Sequence, residues 1–212
     1  MNSYDLIMDL VGKVSDISDL PAVGAYNIRA DGCGTARQNS ENIEIITKTD
    51  KPGIDIMVKP GTKGETVYIP AVITHGGVDD LVYNDFYIGE DADVTIVAGC
   101  GVHNCDCEDS HHANGFCHAN RIVHNGIHRF FLAKNSKVLY LEKHYGEGDG
   151  SGKRIINPET EVFAEEGSTM EMNTVQIKGV DSTKRVSKAE LKDGAKLVIT
   201  EKIMTHGDQT AE

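Results

Sequence analysis

The sequence predicts an all-β chain, a solenoid of stacked short strands preceded by one helix. Three observations predict it: a helical apolar stripe confined to the N-terminus, a succession of short apolar runs closed by Gly, Pro or Asp, and a loose internal repeat in the second half.

The helix is expected over residues 3–20. Leu6, Ile7, Leu10, Val11, Val14 and Ile17 recur at spacings of three and four, which gathers them on one face. Ser3 can cap the first turn, and Pro21 stands where helices commonly stop. An apolar stripe must be covered, so the helix is expected to close the end of the strand region that follows. The chain is accordingly divided into an N-terminal helical segment, 1–22, and a β domain, 23–212.

From residue 23 the pattern turns to strands. Tyr26–Arg29 precedes Asp31-Gly32-Cys33-Gly34, Asn42–Ile46 precedes Lys51-Pro52-Gly53, Ile54–Val58 precedes Lys59-Pro60-Gly61, and Thr66–Ile69 precedes Pro70. Runs of this length with turn residues at their ends are strand signals. Further on, four segments share one layout of turn, small residue, polar residue and strand: Asp91–Val97, Asn135–Leu141, Gly167–Met172 and Gly194–Thr200. Their first apolar positions, Val94, Val138, Met170 and Leu197, lie 44, 32 and 27 residues apart. A repeat that cannot bury its own inward face is stabilised by stacking on its neighbours, which is the logic of a solenoid. Strands pairing above and below are expected from about residue 40 onward, with those four residues pointing inward. The alternative compatible with the same pattern is an antiparallel sandwich or barrel.

Charge and composition exclude several functions. With 21 basic and 33 acidic residues the net charge is −12, which disfavours nucleic acid, whose phosphates need Lys and Arg to displace counterions. No run approaches the ~18 apolar residues of a membrane helix, and Met1–Leu10 has no basic start and carries Asp5, unlike a secretory signal. The five cysteines are an odd number and four are crowded together, unlike a secreted disulfide framework. A reducing, cytoplasmic compartment is expected.

Residues 100–128 hold four of the five cysteines and six of the nine histidines: Cys100, His103, Cys105, Cys107, His111, His112, Cys117, His118, His124 and His128. Thiolates and imidazoles packed this closely suit zinc, iron or an iron–sulfur cluster. In an extended stretch His103, Cys105 and Cys107 fall on one side, so the candidate metal set is Cys105, Cys107 and His103 with Cys100 or Cys117. The spacing matches neither a zinc ribbon nor a ferredoxin run, and a polar loop that gathers no ion, or a redox-active thiol pair, fits it too. No phosphate-binding loop of the G-x-x-x-x-G-K-[ST] type is present, and no carboxylate pair or Ser–His arrangement points to catalysis, so the chain is expected not to be an enzyme.

A series of phrases in order carries a resemblance. Tyr83–Ile88, Gly89–Val94, Gly126-Ile127-His128, Glu142–Gly148, Arg154–Pro158, Met170–Gln176 and Met204–Gln209 resemble short proteins of the SufB/SufD family, from about residue 66 to the end and more weakly before it. The resemblance implies a right-handed parallel β-helix, partnership with a SufC-like ABC-type ATPase, pairing with a homologous SufB/SufD-type protein or with itself, and a scaffold role in iron–sulfur cluster assembly. The cargo would be a transient iron–sulfur cluster or an Fe or Zn ion. It also implies further rungs and a C-terminal helical part beyond Glu212, so the β domain is expected to be incomplete relative to the family and to self-associate through its last strand edge. The Cys- and His-dense segment matches no ligand set of the family, and its assignment rests on local chemistry. A metal-binding or redox-sensing module without an assembly role is the alternative function.

Overall fold

A computed structural model describes residues 3–104, 121–205 and 207–212. Among the described residues one helix, α1 (Ser3–Ser15), precedes fourteen strands. These are β1 (Ala25–Ala30), β2 (Cys33–Gln38), β3 (Ile43–Thr47), β4 (Gly53–Val58), β5 (Lys63–Ile73), β6 (Asp79–Ile88), β7 (Asp93–His103), β8 (Ile122–Leu132), β9 (Lys137–Glu147), β10 (Arg154–Ala164), β11 (Thr169–Lys178), β12 (Ser182–Leu191), β13 (Lys196–Ile203) and β14 (Asp208–Ala211).

The strands form two seven-stranded sheets between which the chain alternates. One runs β13-β11-β9-β7-β5-β1-β2 and the other β14-β12-β10-β8-β6-β4-β3. Apart from the opening hairpins β1–β2 and β3–β4, every pairing is parallel. The antiparallel sandwich therefore does not hold, and the fold is all-β with one N-terminal helix. Parallel neighbours need a crossover, and here each crossover is a strand of the opposite sheet.

The repeat seen in the sequence is the corner that returns the chain from one sheet to the other. At each corner a residue with positive φ precedes a small one: Gly61 (φ 74°) before Thr62, Asp91 (56°) before Ala92, Asn135 (57°) before Ser136, Gly167 (68°) before Ser168, and Gly194 (69°) before Ala195. The small residue's N–H donates to the carbonyl three residues back, as in Ser136 to Ala133 at 3.2 Å and Ser168 to Glu165 at 3.1 Å. The hydroxyls of Thr62, Ser136 and Ser168 bond the same carbonyls at 2.7 Å. Successive corners are stitched by Gly61 to Glu90, Asp91 to Lys134, Asn135 to Glu166 and Gly167 to Asp193. Glycine, Asp and Asn are the residues that take this left-handed conformation at least cost.

The corners set the register. Val94 pairs with Val138, Val138 with Met170 and Met170 with Leu197. Val94, Val138 and Met170 are buried in the main core and Leu197 packs against it. The inward alternation continues along each strand, so the interior near the corners is apolar, with Phe86, Ile96, Phe130 and Tyr140 at its centre. A smaller apolar cluster of Ile73, Cys100, Val102, Ile122, Ile156 and Val180 lies toward the opposite strand ends. Between the two sit buried polar side chains, among them Asp80, Asn84, His124, His128, Glu142 and His144.

The helix departs from expectation twice. It ends at Ser15, because Asp16 takes φ 59° and its N–H closes on the Gly12 carbonyl at 3.0 Å. It also does not close the end of the strand region. It lies across the outer face of the β5–β7–β9 sheet, where Leu10, Val11 and Val14 join Tyr26, Ile28, Val72 and Tyr145. Gly99 and Gly101 make that seat possible: a Cβ on Gly99 would stand 2.7 Å from the Val14 Cβ, and one on Gly101 would stand 3.2 Å from the Leu10 Cβ. No helix of the described residues is long and apolar enough to cross a membrane.

Candidate functional site: a buried thiol–imidazole pair

Of the five residues expected to bind metal, Cys105, Cys107 and Cys117 lie outside the described residues. Cys100 and His103 are both on β7, at positions of opposite parity, and they do not meet. Cys100 is on the inward face and buried. His103 is on the helix side of the sheet, where its Nδ1 stands 3.5 Å from Glu147 Oε1.

What Cys100 does meet is His124. Ile122, His124, Gly126, His128, Phe130 and Leu132 form the buried face of β8, and His124 faces the Cys100 side chain across the interior, where both line one cavity. Its Nδ1 is 3.1 Å from Asp80 Oδ2 on the neighbouring strand β6, at the paired register position. That contact leaves Nε2 as the nitrogen able to face the thiol. Asp80 in turn accepts two bonds from Arg29 on the opposite sheet, Nη2 to Oδ1 at 2.6 Å and Nε to Oδ2 at 3.1 Å. Cys100, His124, Asp80 and Arg29 thus form one continuous line through the interior, from thiol to guanidinium.

The electrostatics follow from that line. Burial opposes a charge on His124, but the Cys100 charge and the Asp80 carboxylate outweigh it and hold its pKa up at about 10. His124 is therefore an imidazolium at neutral pH. Burial likewise opposes ionisation of Asp80, and the hydrogen bonds and charges of His124 and Arg29 overcome it, keeping the carboxyl well below its usual range.

Two residues along β8, His128 has the opposite character. Burial, reinforced by the positive charges of His124, Arg185 and His144 against the pull of Glu142, pushes its pKa down to about 4. A neutral ring has one donor and one acceptor, and its partners fix which is which. Tyr140 Oη donates to Glu142 Oε1 at 2.9 Å, so His128 Nδ1–H donates to Tyr140 Oη at 2.8 Å, and His128 Nε2 accepts from Asn84 Nδ2 at 3.3 Å. Glu142 also accepts from Arg185 Nη2 at 3.0 Å and Thr174 Oγ1 at 3.3 Å. Burial opposes ionisation of Glu142, and the charges of His144 and Arg185 hold it well below the ordinary carboxylate range. Gly126 separates the two histidines: a Cβ there would stand 3.3 Å from His124 Nε2 and 3.5 Å from His128 Nε2.

The arrangement places a thiol beside an imidazolium that is hydrogen-bonded to a carboxylate. As donors to an ion, Cys100 and His124 are two soft ligands, and His124 would first have to lose the proton that Asp80 and Cys100 retain. Among the described residues no group of three or more His, Cys, Asp and Glu is placed to hold a metal. Sequence reasoning noted His124 only as one of a cluster and passed over Asp80 and Arg29. The signal for His124 was the period-two run His124-x-Gly126-x-His128-x-Phe130-x-Leu132, which puts it on the core face with Phe130 and Leu132. Comparison of the chain with protein-family models, with curated proteins and with solved structures finds no match.

Proposed function

We propose that this chain is a right-handed parallel β-helix of the SufB/SufD type and a non-catalytic scaffold component of iron–sulfur cluster assembly, working in the cytoplasm with a SufC-like ATPase and a homologous or identical partner. The single observation that carries the reading is the Cys100–His124 pair, a buried soft donor beside an imidazole, both lining one cavity. A thiolate is the form of cysteine that binds iron, and a site that shelters it from solvent suits cargo that water and oxygen degrade. Support also comes from the phrases shared with the family. Tyr83–Ile88 lies on β6, Gly89–Val94 spans the corner into β7, and Glu142–Gly148 crosses the end of β9, so the resemblance runs along one continuous set of stacked strands.

The test is anaerobic reconstitution with ferrous iron and sulfide, comparing the wild-type chain with Cys100→Ser. The wild type is expected to leave gel filtration with both elements and a visible charge-transfer band, and Cys100→Ser with less than half of each. A wild-type chain that elutes free of iron and sulfide overturns the reading. Copurification with an ABC-type ATPase separates a scaffold from a metal-binding module that acts without a partner.

A further inference from the structure

A cavity opens between the two sheets at their N-terminal hairpins and has a volume of about 610 Å³. That volume lies within the range of small-molecule sites. Its lining carries four Arg and Lys side chains, Arg29, Arg37, Lys48 and Lys51, besides His124, and no Asp or Glu. This is the reverse of the chain as a whole, whose net charge is −12.

The four cations are not equivalent. Arg29 is neutralised by Asp80, and Lys48 by Asp55 and Asp85. Among the described residues Arg37 has no carboxylate partner: its Nε donates to Asn27 Oδ1 at 2.9 Å and its Nη1 to Thr47 Oγ1 at 2.7 Å. These two neutral acceptors fix the guanidinium in place and leave its charge uncompensated. The Lys51 ammonium lies over the Tyr83 ring, 4.8 Å from its centre, and its nearest carboxylate, Asp50, is 4.0 Å away. A fixed guanidinium and a loosely held ammonium at one mouth form a site prepared for negative charge.

The inner wall differs from the mouth. Ile54, Ile69 and Val82 give it an apolar surface, and Cys100 and His124 also line it. Asn84 is there too, 7% exposed, and its Oδ1 is buried without a partner. Its Nδ2 donates to His128 Nε2 at 3.3 Å.

We propose that this cavity binds a small organic anion. Its charged head is held by Arg37 and Lys51 at the mouth, and its body lies against Ile69 and Val82 beside Cys100. The amphiphilic lining, cationic outside and apolar inside, selects a molecule with both parts over a bare inorganic ion or a neutral ring.

Phenyl phosphate is the probe, with inorganic phosphate and phenol as the two half-molecules, titrated into the full chain by calorimetry at constant ionic strength. Phenyl phosphate is expected to bind at least tenfold more tightly than either half. An Arg37→Gln/Lys51→Gln variant is expected to weaken it at least tenfold. Gly34→Glu serves as a second variant, because a Cβ at Gly34, on the lining of the cavity, meets no atom within 4 Å. It adds a repelling carboxylate without displacing anything and is expected to weaken binding similarly. Bound probe is also expected to slow iodoacetamide labelling of Cys100, followed by peptide mass spectrometry, at least threefold. No binding of phenyl phosphate, equal binding by wild type and both variants, or unchanged labelling of Cys100 under saturation overturns the proposal.

Discussion

Arg29 and Asp80 meet across the interior, Nη2 2.6 Å from Oδ1, and join the two sheets by a bidentate ion pair that also serves His124. Asp80 is thus the one anion between two cations, and both depend on it. Asp80→Asn keeps the shape and removes the charge. It leaves a guanidinium and an imidazolium facing each other in a buried site, and breaking a buried pair in this way costs about 3–5 kcal/mol. Urea denaturation at pH 7 should show a loss of that order. A variant as stable as the wild type would show that the pair is dispensable.

The sign of the pH effect at His124 follows from its raised pKa. Its ordinary value is 6.5 and its folded value is about 10. The folded state therefore holds the proton more tightly than the unfolded one, and the contribution is fully present below about pH 6.5 and lost as pH rises through about 10. Urea midpoints from pH 6 to 10 should fall more steeply for the wild type than for His124→Gln. Parallel pH profiles would contradict the protonated state assigned here.

His128 works in the opposite direction. Its folded pKa of about 4 lies below 6.5, so the unfolded chain takes up the proton first. The stability that depends on a neutral ring is present above about pH 6.5 and declines as pH falls toward 4. A shift of this size corresponds to about 3 kcal/mol. Stability measured from pH 7 to 4 should drop by roughly that much less in His128→Gln than in the wild type. His128→Gln keeps a donor and an acceptor but loses the titration.

The Val94–Val138–Met170–Leu197 row was legible in the sequence because each member follows a corner with a small residue, Ala92, Ser136, Ser168 or Ala195, and corners repeat wherever parallel strands must be returned. The inward place of His124 was legible for a related reason, since period-two alternation marks a face. Its partners were not legible. Asp80 precedes it by a whole turn of the chain through the other sheet, and Arg29 lies on the N-terminal hairpin, so only the register of β6 with β8 and the facing of the sheets bring them together. The seat of α1 was missed because glycine in a strand reads as a break, whereas Gly99 and Gly101 are there to admit Val14 and Leu10.

That seat gives a direct test. A Cβ at residue 99 would lie 2.7 Å from both the Cβ and the carbonyl oxygen of Val14, and 2.8 Å from the Lys143 carbonyl oxygen. Backbone atoms cannot yield as a flexible side chain does, so Gly99→Ala should lift the helix from β7 at a cost of about 1–3 kcal/mol. Hydrogen exchange in residues 3–15 should accelerate at least tenfold while β8–β11 stay protected. Unchanged protection of the helix would mean that it does not rest on this glycine.

Met170 and Leu197 occupy successive positions in one inward row, yet their burial differs. Met170 is 2% exposed, clasped between Val138 and Leu197 in a core filled from both sheets. Leu197 is only partly buried, because β13 is the outermost strand of its sheet and has one neighbour. Truncating a side chain costs the transfer energy of the lost atoms and a further amount for the cavity left behind, and a surrounded site collapses less readily than an open one. Met170→Ala should therefore cost about 2–4 kcal/mol by chemical denaturation, and Leu197→Ala less than half as much. Equal losses at both positions would imply that something covers β13 in solution as completely as β11 covers β9. The same comparison repeated over a range of protein concentrations would then show whether that cover is a second copy of this chain, since a cover supplied by association makes the cost at Leu197 grow with concentration.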